Sequence, residues 1–356
     1  MATGTSMSRY VLVDYLHLAH RCVAAAPLSA PVMIGSELQT VDTTIPNYTI
    51  KNIYKSYGGR GLHYTGVFLE GGNGRRKNYF KNQLMPTGKG ATQEYKGGRP
   101  PNNSSFYQGV DLAVHLMANG KVSLYRQEGH EADDCIISMV KKIKSLDTQT
   151  PIDVITGDSD LLALVDDQVS VYMRGNRQHA EPNCPEHRLY FQVTPETWEE
   201  YLSYSSAYRD YYIPFNSMLL FKMIRGDKTD NITGALKGYG GKKYSALMYQ
   251  MVEDGVDFPN IFRYGVDFDT VIRPVLENYF KDEMDGVVIT EDRLHLFKDT
   301  SKGALETKGA STITYVDYMK FIYNGINPEY VNLSVPKQIE LGFLQKALNP
   351  VKINLI

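Results

Sequence analysis

The chain has 356 residues, 42% of them hydrophobic, with a formal net charge of −2 and a pI near 6.5. This is enough chain for one large domain or two moderate ones and enough apolar content for a core, while the near-neutral balance gives no global sign of a polyanionic partner. No apolar run approaches the ~18 residues of a membrane span, and the three cysteines (Cys22, Cys135, Cys184) lack the Cys-x-x-Cys spacing of a zinc knuckle.

Tyr10-Val-Leu-Val-Asp14 is a short apolar run ending in an acid and reads as a strand. Residues 16–26 and 48–57 read as helices, and 64–69 as a second strand, followed by Glu70. Residues 71–103 are rich in Gly, Pro, Lys and Arg with little periodicity and read as a loop; excursions this long are usually functional or disordered. Next come a helix over 106–117, a strand over 122–125 and a helix over 132–143, with Ile136, Ile137, Val140 and Ile143 on one face. A strand over 152–155, a short helix over 161–165 and a strand over 169–173 complete a β-α-β pattern. The pattern predicts an α/β fold with a mostly parallel central sheet and helices on both faces. From about residue 195 the chain turns helical, over 195–204, 213–224 and 244–252. The pattern weakens over 285–315, and the tail after Asp317 has room for one or two helices.

Charge is segregated along the chain. Arg75, Arg76, Lys77, Lys81, Lys89, Lys96 and Arg99 share the stretch 75–99 with a single acid, Glu94. Six more basic residues lie between Lys222 and Lys243, against Asp227 and Asp230. Local basic fields of this kind hold polyanions even on a neutral protein. The acids gather at strand ends and loop starts: Asp14, Glu70, Glu131, Asp133, Asp134, Asp158, Asp160, Asp227 and Asp230. In an open α/β sheet the carboxyl ends of neighbouring parallel strands converge on one crevice. So many carboxylates in one crevice repel unless a cation sits among them, and hard divalent ions such as Mg²⁺ take oxygen ligands. The number suits a two-metal centre better than an acid/base pair. Any one of these acids could instead be a helix cap, Asp158 above all.

The run from Gly234 to Gly241, flanked by Lys237, Lys242 and Lys243, suits a turn that offers N–H and ammonium groups to phosphates, or an ordinary turn. His17, His20 and His130 lack metal-ligand spacing and read as structural. The 26 tyrosines could supply stacking surfaces for bases, although most suit a core. Met1 to Ser8 has no apolar signal core, so a cytoplasmic setting is expected.

Six motifs carry a family resemblance: Val11-Leu-Val-Asp14, Tyr95-Lys-Gly-Gly-Arg-Pro-Pro101, Glu131-Ala-Asp-Asp134, Thr156-Gly-Asp-Ser-Asp-Leu-Leu162, Gly226-Asp-Lys-Thr-Asp-Asn231 and Gly238-Tyr-Gly-Gly-Lys242. In this order they resemble the 5′-nuclease, or flap endonuclease, superfamily. The style is that of the 5′→3′ exonuclease domain of bacterial DNA polymerase I and of stand-alone bacteriophage 5′ nucleases. The resemblance covers roughly residues 9 to 250 and implies a PIN-like nuclease domain over 1–194. It also implies a helical arch at about 71–110 and a helix–three-turn–helix within 195–284. Residues 285–356 match nothing in the family and read as an extension of unknown role.

The resemblance further implies that Asp14, Glu131, Asp133 and Asp134 hold or support one Mg²⁺, and Asp158, Asp160, Asp227 and Asp230 another, with Mn²⁺ able to substitute. Glu70 stands where the family usually has Asp. Lys96 would meet the scissile phosphate with help from Arg99, and Asp133 and Asp158 would be indispensable to cleavage. Arg75, Arg76, Lys77, Lys96, Arg99, Lys237, Gly238, Gly240, Gly241, Lys242 and Lys243 would touch DNA, with K⁺ at the glycine turn. The expected substrates are DNA with 5′ flaps, nicks or ends, and RNA–DNA hybrids. The expected form is a monomer off the membrane, and polymerase, clamp and single-strand-binding proteins are the partners that replication or repair would bring. A PIN-type endoribonuclease, or a non-catalytic DNA-binding relative, is the alternative; residues 226–243 count against the first and the full acid set against the second.

Overall fold

The computed structural model describes residues 8–22, 28–34, 36–52, 64–80, 95–96, 104–119, 122–174, 190–236, 239–280, 287–290, 305–307, 310–337 and 354–355. In chain order, the first half contains β1 (Tyr10–Asp14), α1 (Tyr15–Cys22), β2 (Ser29–Ile34), β3 (Glu37–Asp42), α2 (Thr44–Asn52), β4 (Tyr64–Phe68), α3 (Gly74–Phe80), α4 (Ser104–Asn119), β5 (Ser123–Tyr125), α5 (Ala132–Leu146), β6 (Ile152–Ile155), a 3₁₀ turn (Ser159–Leu164), β7 (Val169–Arg174) and β8 (Tyr190–Val193). Then follow α6 (Trp198–Tyr204), α7 (Met218–Arg225), a small hairpin of β9 (Gly226–Asp227) and β10 (Ile232–Thr233), α8 (Gly241–Glu253), α9 (Phe258–Ile261), a π-helical turn (Phe268–Ile272) and α10 (Arg273–Phe280). Strands β11 (Val287–Thr290), β12 (Leu305–Thr307) and β13 (Ala310–Ile313), helix α11 (Tyr315–Ile326) and β14 (Asn354–Leu355) complete it.

The central sheet has the order β5-β4-β1-β6-β7-β8. All of its neighbours pair in parallel except β7 with β8. Strand β1 shows why both faces are covered. Its Tyr10 and Leu12 enter one buried cluster with Ile136, Val140 and Ile143 of α5, while Val11 and Val13 enter another with Leu18 of α1 and Phe106 of α4. Period-two alternation with both faces apolar requires helices on each side. From β1 the chain passes to β4 and β5 on one side and then returns to β6 on the other. That reversal puts the carboxyl ends of β1, β4 and β6 around a crevice.

Several predicted boundaries shift. The stretch 71–103 is not all loop, because α3 occupies 74–80. The helix expected over 213–224 begins only at Met218, since Pro214 lacks an N–H and Asn216 takes a left-handed φ of 59°. Pairing of β2 with β3, and of β14 with β2, was not foreseen. The C-terminal part is not detached. Helix α11 packs against α3, α7 and α10, and its Val316, Tyr318 and Ile322 share a cluster with β1 and α5. Residues 328–337 then pass beside the edge strand β5 of the central sheet, where the Tyr125 hydroxyl donates to the Ser334 carbonyl at 2.7 Å and the Lys337 N–H to Ser123 Oγ at 3.0 Å. Among the described residues no helix is long and apolar enough to cross a membrane.

Candidate metal centre

Each acid is placed by its element. Asp14 ends β1, Glu70 lies two residues past β4, and Asp158 three past β6. The Thr156 hydroxyl donates to Asp14 Oδ2 at 2.8 Å and accepts from the Asp158 N–H at 2.9 Å, so one threonine sets both strand ends. Gly157 between them passes under the His17 ring, where a Cβ would stand 2.0 Å from a ring carbon. Asp158 Oδ1 accepts from the Asp160 N–H at 2.9 Å, so this acid does cap the 3₁₀ turn while its other oxygen stays available for a ligand. Glu131 caps α5 in a reciprocal box with Asp134.

The carboxylates of Asp133, Asp158 and Asp160 bring one oxygen each to within 4.8 Å of one another. An all-oxygen donor set of this kind fits a hard divalent ion. Burial pushes the Asp14 carboxyl up to about 7, with Asp158 and Asp133 adding repulsion. Burial, then Asp14, Glu131 and Asp133, pushes Glu70 up to about 8. Asp158 is raised by burial too, with Lys222 opposing. The centre holds more negative charge than its own cations balance, which is a second reason that a divalent ion fits it.

Those internal cations are a finding of the structure. The Arg76 guanidinium, 1% exposed, lies 2.8 Å from Asp133, 2.8 Å from Asp134 and 3.2 Å from Glu131. Expected on the DNA surface, Arg76 is instead inside the acid cluster, because the first turn of α5 concentrates three carboxylates that need a planar, multidentate partner. Its neighbour Arg75 pairs with Asp134 at 3.0 Å and donates to the Asn327 carbonyl at 3.4 Å. Asp134 is therefore held on the arginine side of α5. Lys222, buried on α7, pairs with Asp160 and, at 2.7 Å, with Asp227. Sequence reasoning counted Lys222 in a basic field and missed this role. The available signal was a lone lysine within the apolar run Met218 to Ile224.

Tyr95 and Lys96 join two acid-bearing segments. The Tyr95 hydroxyl donates to Glu131 Oε2 and to Asp230 Oδ2, each at 3.0 Å. The Lys96 N–H donates to the Asp230 carbonyl at 3.0 Å, its ammonium lies 2.7 Å from Glu131, and its φ of 54° is left-handed. Burial alone would lower the Lys96 pKa, but Glu131, Asp230 and Asp133 raise it above its ordinary value. Asp227 folds its own turn by accepting from the Thr229 N–H at 2.8 Å. Burial opposes its ionisation, yet Lys222 and the turn N–H groups hold its pKa below the usual carboxylate range.

Among the other expected contacts, Lys77 is exposed on α3, and Lys242 and Lys243 are exposed in the first turn of α8. Gly240 has open space where a Cβ would go, whereas at Gly241 a Cβ would stand 2.3 Å from the Asp210 carbonyl oxygen. Arg99, Lys237 and Gly238 lie outside the described residues, as do Lys81, Lys89 and most of the expected arch.

The sequence matches, over residues 10–190, the family described as 5′-3′ exonuclease, N-terminal resolvase-like domain. DNA polymerase I of Caldicellulosiruptor bescii is 27% identical over 168 residues, 47% of this chain and 18% of that protein. The 5′-3′ exonuclease of Mycoplasma pneumoniae is 25% identical over 205 residues, 57% of this chain and 62% of that protein. The chain thus spans less than two thirds of the length of either relative. The T5 D15 protein co-crystallized with metal ions superposes with a TM-score of 0.47 and 16% identity, covering 96% of this chain and 97% of that one. The match over 10–190 takes in the sheet, α5 and the acids from Asp14 to Asp160, and by it the chain belongs to the 5′-3′ exonuclease family of this resolvase-like domain.

Proposed function

We propose that the chain is a Mg²⁺-dependent, structure-specific 5′ nuclease that removes 5′ flaps and ends from nicked or branched DNA, and RNA primers from RNA–DNA hybrids. The observation that carries this reading is the convergence of Asp133, Asp158 and Asp160 at the sheet crevice, with the Lys96 ammonium 2.7 Å from the adjoining Glu131. The family and the names of the two relatives support it: one is a 5′-3′ exonuclease, the other a DNA polymerase I.

In this reading Asp133, Asp158 and Asp160 hold one divalent ion, with Asp14 and Glu70 beside them. Asp227 and Asp230, with Asp160, would hold a second ion, and Lys222 balances part of the charge of Asp160 and Asp227. Bound divalent ions supply an activated water and charge stabilisation on the leaving oxygen. Lys96, with Arg99, presents positive charge to the reacting phosphate, while Tyr95 orients Glu131 and Asp230. Lys77, Lys242, Lys243 and the amides at Gly240 and Gly241 grip the backbone without reading bases. A K⁺ ion at the glycine turn, action as a monomer, and docking of a polymerase, clamp or single-strand-binding protein belong to the same reading.

The test is cleavage of end-labelled 5′-flap, 3′-flap, nicked and RNA–DNA hybrid substrates, with Mg²⁺, with Mn²⁺ and in EDTA. The 5′ flap is expected to be cut near its junction only with metal, and the 3′ flap to be spared. Asp133→Asn and Asp158→Asn are each expected to abolish cleavage while DNA binding persists. Equal cutting of both flaps, or full activity in EDTA, overturns the reading.

A further inference from the structure

Helix α5 carries the acids of the centre on its first turn, and a segment far away in sequence is bonded to that helix. The Ser138 hydroxyl, 4% exposed, donates to the Asp134 carbonyl at 2.7 Å and accepts from the Val331 N–H at 3.0 Å. A second route runs through Arg75, whose guanidinium reaches the Asn327 carbonyl at 3.4 Å and the Asp134 carboxylate at 3.0 Å. Asp134 in turn offers its N–H to Asp133 Oδ1 at 2.8 Å. Residues 327–331 thus reach Asp134 through two intermediaries, Ser138 at its carbonyl and Arg75 at its carboxylate, and Asp134 in turn bonds Asp133. The segment lies well beyond residues 10–190, where the family match ends.

From this we infer that residues 327–337 are a positioning strap for the metal centre, with Ser138 as the residue through which it acts. The strap fixes the first turn of α5, so that Asp133 meets a cation without first having to be ordered. Partners that support a ligating side chain commonly set metal affinity as well as rate. Ser138 and Val331 touch neither substrate nor reacting atoms; they act through Asp134 and Asp133. The inference rests on the reading of Asp133, Asp158 and Asp160 as a divalent-cation site.

The test uses the full chain and Mn²⁺ as probe. Binding is read from the loss of the free-ion electron paramagnetic resonance signal, at a temperature well below unfolding. Ser138→Ala and Val331→Pro are each expected to weaken Mn²⁺ binding about fivefold, the equivalent of one hydrogen bond. The double variant is expected to fall short of the product of the two, because both remove the same bond. Asn332→Ala, which cuts only the exposed contact to Lys142 at 2.9 Å, is expected to bind like the parent. Saturating Mn²⁺ is expected to recover the cleavage rate of Ser138→Ala. A lowered melting temperature with parental Mn²⁺ binding in both Ser138→Ala and Val331→Pro overturns the inference and leaves the strap a purely structural element. A parent that binds no Mn²⁺ overturns the underlying cation-site reading instead.

Discussion

The Lys96 ammonium lies 2.7 Å from Glu131 Oε1, inside the acid cluster and not on an open surface. A lysine so placed stays charged throughout the physiological range, because Glu131, Asp230 and Asp133 outweigh the cost of burial. With its side chain only 15% exposed, it is also screened less by salt than a surface lysine.

Lys96→Ala is therefore expected to lower single-turnover cleavage roughly a hundredfold, the size of one positioned charge on a reacting phosphate. Affinity for a 5′-flap substrate should change only a few-fold. Lys77→Ala, on the exposed side of α3, should weaken affinity and lose its effect at high salt. Equal, salt-sensitive losses in both variants would remove the catalytic assignment of Lys96.

Arg76→Met is expected to destabilise the protein by about 3 kcal/mol or more, because it strands Glu131, Asp133 and Asp134 without their shared cation. Arg76→Lys should recover less than half of that, since an ammonium lacks the planar fork. Urea unfolding at pH 7 in EDTA reads both. A midpoint matching the parent in Arg76→Met would show that the guanidinium is dispensable to the fold.

In EDTA the stability is expected to fall as pH rises from 5 to 8. Asp14 and Glu70 titrate near 7 and 8 in the folded state, above their unfolded values, so the folded state binds more protons in this window. Their contribution is present at low pH and lost on ionisation. Asp227, held low, contributes with the opposite sign, but that gain is complete by about pH 5. Thermal melts should drop by roughly 5 °C across the window, recover with Mg²⁺, and become shallower in Asp14→Asn/Glu70→Gln, with Asp158 and Glu131, both raised by burial, carrying the remaining slope. A drop of the same size in that double variant would assign the slope to other groups. In cleavage assays, Glu70→Gln should cost well over tenfold if Glu70 is a ligand, and Glu70→Asp should be tolerated.

At the start of α8 the two glycines are expected to separate binding from folding. Gly241→Ala forces a Cβ against the Asp210 carbonyl oxygen and should cost about 1–3 kcal/mol. Gly240→Ala meets nothing and should fold like the parent. Gly240→Val with Lys242→Ala should weaken duplex binding equally across sequences, which filter binding on unrelated duplexes will show. Unchanged binding at low salt would make this turn structural.

The frame of this protein was legible because strands buried on both faces leave short, mostly apolar runs, and an acid follows or ends each of β1, β4 and β6. What escaped was written in residues that look wrong for a core. Helix α3 buries Arg76 and Phe80 and keeps Lys77 outside, so it shows no apolar period and reads as loop. Lys222 is buried in an apolar helix for the sake of Asp160 and Asp227, which only the folded chain brings to it. The strap could not be read, because backbone bonds from residues 327–337 to Ser138 and Ser123 leave no mark on composition.

The left-handed backbone of Lys96 has a consequence for how this chain could be bred in the laboratory. The lysine backbone is strained there by about 1 kcal/mol, which glycine would relieve, but losing the ammonium strands the buried Glu131 and Asp230 and costs more than that. Selection for heat resistance alone would then keep a cation here and accept Lys96→Arg, while selection for turnover would keep lysine. The two enrichment profiles should diverge at this position, and a divergence of that kind would mark the lysine from genotype counts before any enzyme is purified.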